Sequence, residues 1–344
     1  MVVCMFGFLI KKTFFDMWDN MFRIILLNLA FLAVMALVML PSLVSGTVPL
    51  DAEAASGGEA GAATAPVPAP APAPEAPAAP MSEAEFEAAF YSSVAPDFIA
   101  KPFTTPLVRI LLVSGPVRGV RLIGGLIARQ PLIVIPLVLL LVGLAALACL
   151  CGAASRMTSD IADYKQPGFV EFLSYAKESW ATSLLVAGLL AVYLLVVSVA
   201  FPFYAGRGWI GWLAMGLLFW VTVAALLAAQ YFFPIQSRLD RTFRKIVRKS
   251  FLLLFDNTVF TFGLMAVGIV VFVASAFTAF LLPGISTIFL WWNAALKLRL
   301  YKYDWLEQNP GADRRKVPWD ALLIDDRERV GKRTLKGMIF PWKE

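Results

Sequence analysis

Few side chains in this 344-residue chain are equipped for chemistry. Histidine is absent, which removes the commonest metal ligand and the usual general base. The three cysteines are Cys4, Cys149 and Cys151. Cys149-x-Cys151 lies in an uncharged apolar run, where thiols pack as small hydrophobes and do not build a redox pair, disulfide framework or zinc site. Phosphate-cradling, nucleophile-elbow and zinc-protease patterns are all missing. What remains is three amides in apolar surroundings, Asn28, Gln230 and Asn293, and a dense set of cations, Arg238, Arg241, Arg244, Lys245, Arg248 and Lys249. Amides within lipid hydrogen-bond between helices, at about 0.6–2 kcal/mol each. Clustered cations attract phosphate-bearing surfaces, at about 1 kcal/mol per residue beside an anionic membrane. The expectation is a protein without catalytic residues, cofactor or metal, and not an enzyme.

The elements that must position these residues follow from the apolar excess. The chain is 59% hydrophobic and 16% charged, with a mean hydropathy of +0.73, against about 45–50% and ~25% for soluble domains. A core of this size cannot hide that surface from water, so part of it faces lipid. No charge occurs in Ile24–Leu50, Gln130–Ser155, Ser179–Gly206, Gly208–Ser237 or Asn257–Leu296. A span needs about 20 apolar residues, and Pro283-Gly284 divides the last run. The fold class expected is an all-α polytopic membrane protein with six helices, at 23–45, 131–154, 180–204, 208–234, 257–282 and 284–300. Of 30 basic residues, 24 fall in 1–23, 155–178, 235–256 and 297–344, which places both termini in the cytoplasm. Lys11-Lys12, an apolar run and Val44-Ser45-Gly46 have some features of a cleavable signal. Ile24–Leu40 is 17 residues long, against about 7–15 for a signal core, so an uncleaved first helix is preferred.

Residues 47–106 read as an extracytoplasmic insertion. Its Ala/Pro-rich stretch 52–80 cannot bury a core and stays disordered and extended, either as a tolerated insertion or as a reach across the envelope. Ser82-Glu-Ala-Glu85 has the form of a capping box opening a short helix. In 107–130, Arg118, Arg121 and Arg129 fall within about 80° on a helical wheel, the pattern of a basic helix in the headgroup plane. The alternative, a further crossing, would carry four arginines into lipid.

Two segments on the basic side read as contact surfaces. In the helix expected over 236–256, Leu239, Phe243, Ile246 and Ser250 form one stripe, and Asp240 can pair with Arg244. The cations beside the stripe read as a lipid anchor or as a docking helix for a protein partner; lipid accounts for the charge without nucleic acid. In the second segment, Phe169, Phe172, Leu173 and Ala176 mark one helix face leading to Trp180, with Lys177 beside it. The tail 301–344 reads as soluble and mixed in charge, with Leu335–Trp342 an apolar island for a membrane surface or a partner's groove. For Asn28 and Gln230, helix packing is preferred to substrate binding. Asn293, beside Trp291-Trp292 after the Pro-Gly break, leaves a substrate site and an interfacial aromatic belt both open.

The chain resembles the YesL family of bacterial integral membrane proteins. The matching elements are Phe22-Arg-Ile-Ile-Leu-Leu-Asn28-Leu, Phe169-x-x-Phe172 with Tyr175-Ala-Lys177-Glu-Ser-Trp180, Phe233-Pro234-Ile, the basic segment after it, and Leu252-Leu-Leu-Phe-Asp-Asn257. Together they cover residues 14–46 and 150–305. The family's turn after the first span is represented only by Pro41, and 47–130 is an insertion relative to its pattern. The resemblance implies a bacterial plasma-membrane protein accompanying ABC-type carbohydrate uptake, with the bilayer and transporter subunits as partners. The chain lacks the Glu-Ala-Ala loop of an importer permease, so an accessory or scaffold role is expected. The alternatives are a small-solute carrier or channel, and an envelope tether.

Overall fold

The computed structural model describes residues 2–45, 134–205, 207–313 and 317–331, and among these all regular structure is helical. The helices are α1 (Val2–Asp19), α2 (Met21–Ser45), α3 (Val134–Ala162), α4 (Phe169–Ala205), α5 (Gly208–Ala229), α6 (Phe232–Arg238), α7 (Phe243–Asp256), α8 (Thr258–Phe277), α9 (Ile285–Gln308), α10 (Trp319–Leu322) and α11 (Ile324–Val330). The Ala/Pro stretch, the capping box at 82–85, the basic segment 107–130 and the island at Leu335–Trp342 lie outside the described residues.

Among the described residues, four segments are long and apolar enough to cross a membrane: Met21–Met39, Val138–Ala162, Gly208–Arg238 and Thr258–Phe277. They overlap the first, second, fourth and fifth expected spans, the second running eight residues past its expected end at 154. The apolar side chains they leave exposed, among them Leu26, Leu141, Trp212, Leu217, Val259 and Val270, need a non-aqueous solvent. By length and composition these helices are compatible with a multi-pass membrane protein.

The chain divides into two compact units, Met1–Met35 with Leu144–Glu344, and Ala36–Gly143. In the latter the described residues are short stretches of α2 and α3. A Cβ on Gly143 would lie 3.3 Å from the Val38 Cα, so the glycine permits the close approach that small residues allow between membrane helices.

In the larger unit α9 is the centre. Its residues from Ser286 to Arg299 are almost all buried, against α1, α8 and α6. It is absent from the four apolar segments because its second half carries Lys297, Arg299 and Lys302, which face protein. Trp291, read above as a candidate for an interfacial belt, is instead a core residue: it is 2% exposed and its indole N–H donates to Leu264 O at 3.0 Å. Segment 1–19, expected only as a cytoplasmic lead, forms α1 and lays Met5, Leu9, Lys12 and Asp16 against α9 and its neighbours. The spacing of those four residues, 4, 3 and 4, is a helical stripe. Phe6 fills the gap left by Gly263 of α8, where a Cβ would stand 2.6 Å from the ring.

The helix expected over 236–256 is two helices. α6 ends at Arg238 and α7 starts at Phe243. Leu239 and Asp240 both donate their N–H to Ile235 O, at 2.8 and 3.1 Å, which closes α6. Asp240 in the turn then pairs with Lys245 and Lys249 of α7, in place of Arg244. Leu239 is exposed and leaves the stripe, whereas Ile246 and Ser250 keep it and are fully buried.

Candidate functional site

The largest concentration of polar chemistry lies where α1, the end of α3, α6, α9 and α11 meet. α3 ends at Ala162, and the last carbonyls of a helix lack intrahelical partners and carry the negative end of its dipole. Two lysines serve that end: Lys12 Nζ and Lys297 Nζ each donate to Ala162 O at 3.1 Å. Lys12 also pairs with Asp16 at 2.7 Å. Lys297 reaches Asp326 at 3.3 Å and Asp163 at 3.4 Å. Arg238 binds Asp163 through Nη1 at 3.0 and 3.2 Å and donates from Nη2 to Ser159 O at 3.0 Å. Three cations thus meet three carboxylates, as removal of charge from water requires. The Tyr164 ring lies among Lys12, Lys297 and Arg329, at 3.9, 4.9 and 4.9 Å from its centroid.

Burial governs the ionisation of this cluster. It pushes the Asp16 carboxyl up to about 6 even with Lys12 beside it, and pushes Lys12 down. The Tyr164 hydroxyl is raised by burial and by Asp326. At its margin, burial and a 2.7 Å hydrogen bond to Asp160 push Tyr175 up to about 12. With matched charges and mutual hydrogen bonds, the cluster is suited to holding helices together.

Of this cluster, sequence reasoning placed Arg238 alone among the candidate contact residues; Lys297, read as reaching from a span's end to water, is instead buried and paired. Asp326 comes from the tail expected to be soluble. α9 continues eight residues past the expected end at 300. Beyond it Val317, Leu323, Asp326 and Val330 are buried. The available signal was the 3, 4 spacing of Leu323, Asp326 and Val330, one face of a short helix.

All three amides singled out in the sequence make helix-to-helix bonds. Asn28 Nδ2 donates to Leu281 O at 2.9 Å, and its Oδ1 accepts from the Ser286 N–H at 2.9 Å and from the Ser286 hydroxyl. It ties α2 to the turn before α9, and Gly284 is needed there because any Cβ would overlap the Asn28 amide. Gln230 donates to Leu227 O and, at 3.3 Å, to Thr261 O of α8. Asn293 accepts from the Ser237 hydroxyl at 3.0 Å, and its NH2 faces Ser155, Thr158 and Phe289 oxygens at 3.0–3.2 Å, joining α9, α6 and α3.

The surface residues singled out in the sequence fall on two exposed regions. Phe169 is 74% exposed at the start of α4, with Phe172 half-buried beside it and Lys177 exposed. Arg241, Arg244, Lys245 and Arg248 are exposed, and Lys249 is half-buried. Arg241 joins the two regions through Glu178 of α4 at 2.7 Å. Between α3, α4 and α6 is a polar cavity of about 20 Å³, the size of one water, walled by Arg156, Tyr175, Ser179 and Gln236. A second, apolar groove of about 210 Å³ lies between α2, α3 and the start of α4. No group of three or more metal-ligating side chains occurs among the described residues.

Comparison of the chain with family models, with curated proteins and with solved structures gives no match in any of the three.

Proposed function

We propose that this chain is a non-catalytic membrane scaffold, an accessory to an ABC-type transport complex for carbohydrates. The observation that carries this reading is the use of Asn28, Gln230 and Asn293. Each bonds one helix to another, so the polar side chains a solute path would use are already engaged in packing. The exposed start of α4 and the basic face of α7 are then the surfaces left for a partner or for anionic lipid. In this reading the chain crosses a bacterial plasma membrane six times with both termini in the cytoplasm, α4 and α9 supplying the remaining spans and the charged cluster lying on the cytoplasmic side.

The test is affinity purification of the full chain from native membranes in mild detergent, with co-purifying proteins quantified by mass spectrometry. Stoichiometric recovery of ABC permease or ATPase subunits is expected. Recovery of the chain alone, together with solute uptake by the purified protein in liposomes, would replace the scaffold with a carrier. An envelope tether would instead require the segment 52–80, and its deletion would then abolish function.

A further inference from the structure

The groove between α2, α3 and the start of α4 has the chemistry of a phospholipid site. Its walls are Leu27, Ala30, Met157, Phe169 and Phe172, with Leu26 on the rim and Arg23 at one end. Phe169 and Phe172 face it as a stacked pair, their ring centroids 6.4 Å apart. Its volume of about 210 Å³ is below the ~300–1,000 Å³ of drug-sized ligand pockets and suits part of one extended chain.

Position and charge select the occupant. Arg23 is two residues into the apolar segment Met21–Met39, and Met157 is five residues from the end of Val138–Ala162, so the groove sits at the ends of two candidate spans. Arg23 donates to Asn20 Oδ1 at 2.8 Å and to Gln166 Oε1 at 3.4 Å, both neutral oxygens, and it is not paired with a carboxylate in any ion pair among the described residues. Glu171, one residue before Phe172 on α4, accepts the Gly168 N–H at 2.9 Å. Leu26 of the lining is 65% exposed, and the residues next in the chain to Arg23 and Phe169 are exposed apolar side chains, Phe22 at 77% and Val170 at 78%. A cation where a span ends, opening onto an apolar channel contiguous with a lipid-facing surface, matches a phosphate with an acyl chain attached.

The geometry points to a binding site for one anionic phospholipid, its phosphate on the Arg23 guanidinium and the upper part of one acyl chain between Met157, Phe169 and Phe172. The site is independent of any transport partner, and of the two occupants open to Phe169 and Phe172 it selects lipid.

The experiment uses the full chain in mild detergent, titrated with phosphatidylglycerol or with phosphatidylcholine of identical chains, and bound lipid counted by native mass spectrometry. One saturable phosphatidylglycerol per chain is expected, with phosphatidylcholine weaker. Arg23→Gln should weaken phosphatidylglycerol about fivefold, the equivalent of ~1 kcal/mol for one cation at an anionic surface. Arg23→Lys should keep most of the binding. Equal binding of the two lipids, unsaturable binding, or a folded R23Q protein that binds as wild type would each overturn the proposal. Should R23Q fail to fold, Leu26→Trp obstructs the rim with Arg23 intact; it should lower binding, and unchanged binding in L26W overturns the site.

Discussion

Lys297 of α9 and Asp326 of α11 are 29 residues apart in the chain and form a buried ion pair at 3.3 Å. The pair fastens the segment after α9 to the charged end of the bundle. Asp163 is 3.4 Å from the same ammonium, so the lysine sits between two carboxylates from different parts of the chain.

Asp326→Asn should therefore loosen the tail without unfolding the bundle. Removing one member of a buried pair costs about 3–5 kcal/mol when the other charge is left uncompensated. Asp163 and Ala162 O still hold Lys297, so the loss should fall to about 1–3 kcal/mol. Faster hydrogen exchange across 317–331 and earlier proteolysis after Gln308 are the expected readouts. Exchange as slow as in the wild type would rule out a fastening role for the pair.

Asn293→Ala should lower stability by about 1–3 kcal/mol, because Ser155 and Thr158 lose a donor in a buried setting and the Ser237 hydroxyl keeps only the Pro234 carbonyl as acceptor. Thermal unfolding in detergent checks this. If Asn293 served a solute instead, the variant would melt as the wild type does and fail only in liposome uptake.

The Asp16 carboxyl, pushed up to about 6 by burial, makes stability depend on pH in a definite sense. The folded form holds its proton more tightly than an unfolded Asp with its ordinary value of 3.8. The contribution is thus fully present below 3.8 and is lost as pH rises through about 6. Lys12, Lys297 and Asp326 face the group, the two lysines opposing the shift and Asp326 adding to it. The melting difference between wild type and Asp16→Asn should accordingly change in favour of the wild type on acidification from about pH 6.5 to 4.5. A difference that stays constant over that interval would contradict the assignment.

Reversing charge at Arg241, Lys245 and Arg248 to Glu should weaken attachment of α7 to anionic vesicles or to a partner. Three exposed cations at about 1 kcal/mol each give a loss on the order of 3 kcal/mol, or more than a hundredfold, before the added repulsion. Ile246 and Ser250 on the buried face are untouched, whereas the exposed Arg241–Glu178 and Lys245–Asp240 pairs are lost, so stability should fall by no more than about 1 kcal/mol per pair. Membrane insertion lost along with binding would mean that these residues are needed for the fold and not for docking.

Several elements were legible because one physical rule sets them. The uncharged run from Ile24 to Leu50 and the uncharged run after Gly208 announce spans, since lipid excludes charge regardless of what packs nearby. The preference for packing at Asn28 and Gln230 rested on the same rule, as an amide in lipid must find a partner. The break between α6 and α7 was not legible: six cations and an amphipathic stripe fit a continuous helix, and only the Asp240 pairing with Lys245 and Lys249 and the closure on Ile235 O fix the turn.

The sequence by itself determined the solvent of this protein, the main apolar segments and the ends at which its cations collect, because these depend on composition over windows of about 20 residues. The tertiary structure alone decided that α9 is the buried centre, that α1 and the 317–330 segment fold onto it, and that Lys12 and Lys297 share the Ala162 carbonyl. A charged side chain carries the same letter whether it meets water or, as Lys297 meets Asp163, a carboxylate brought from 134 residues away. Which of the two it meets is settled by packing across the chain.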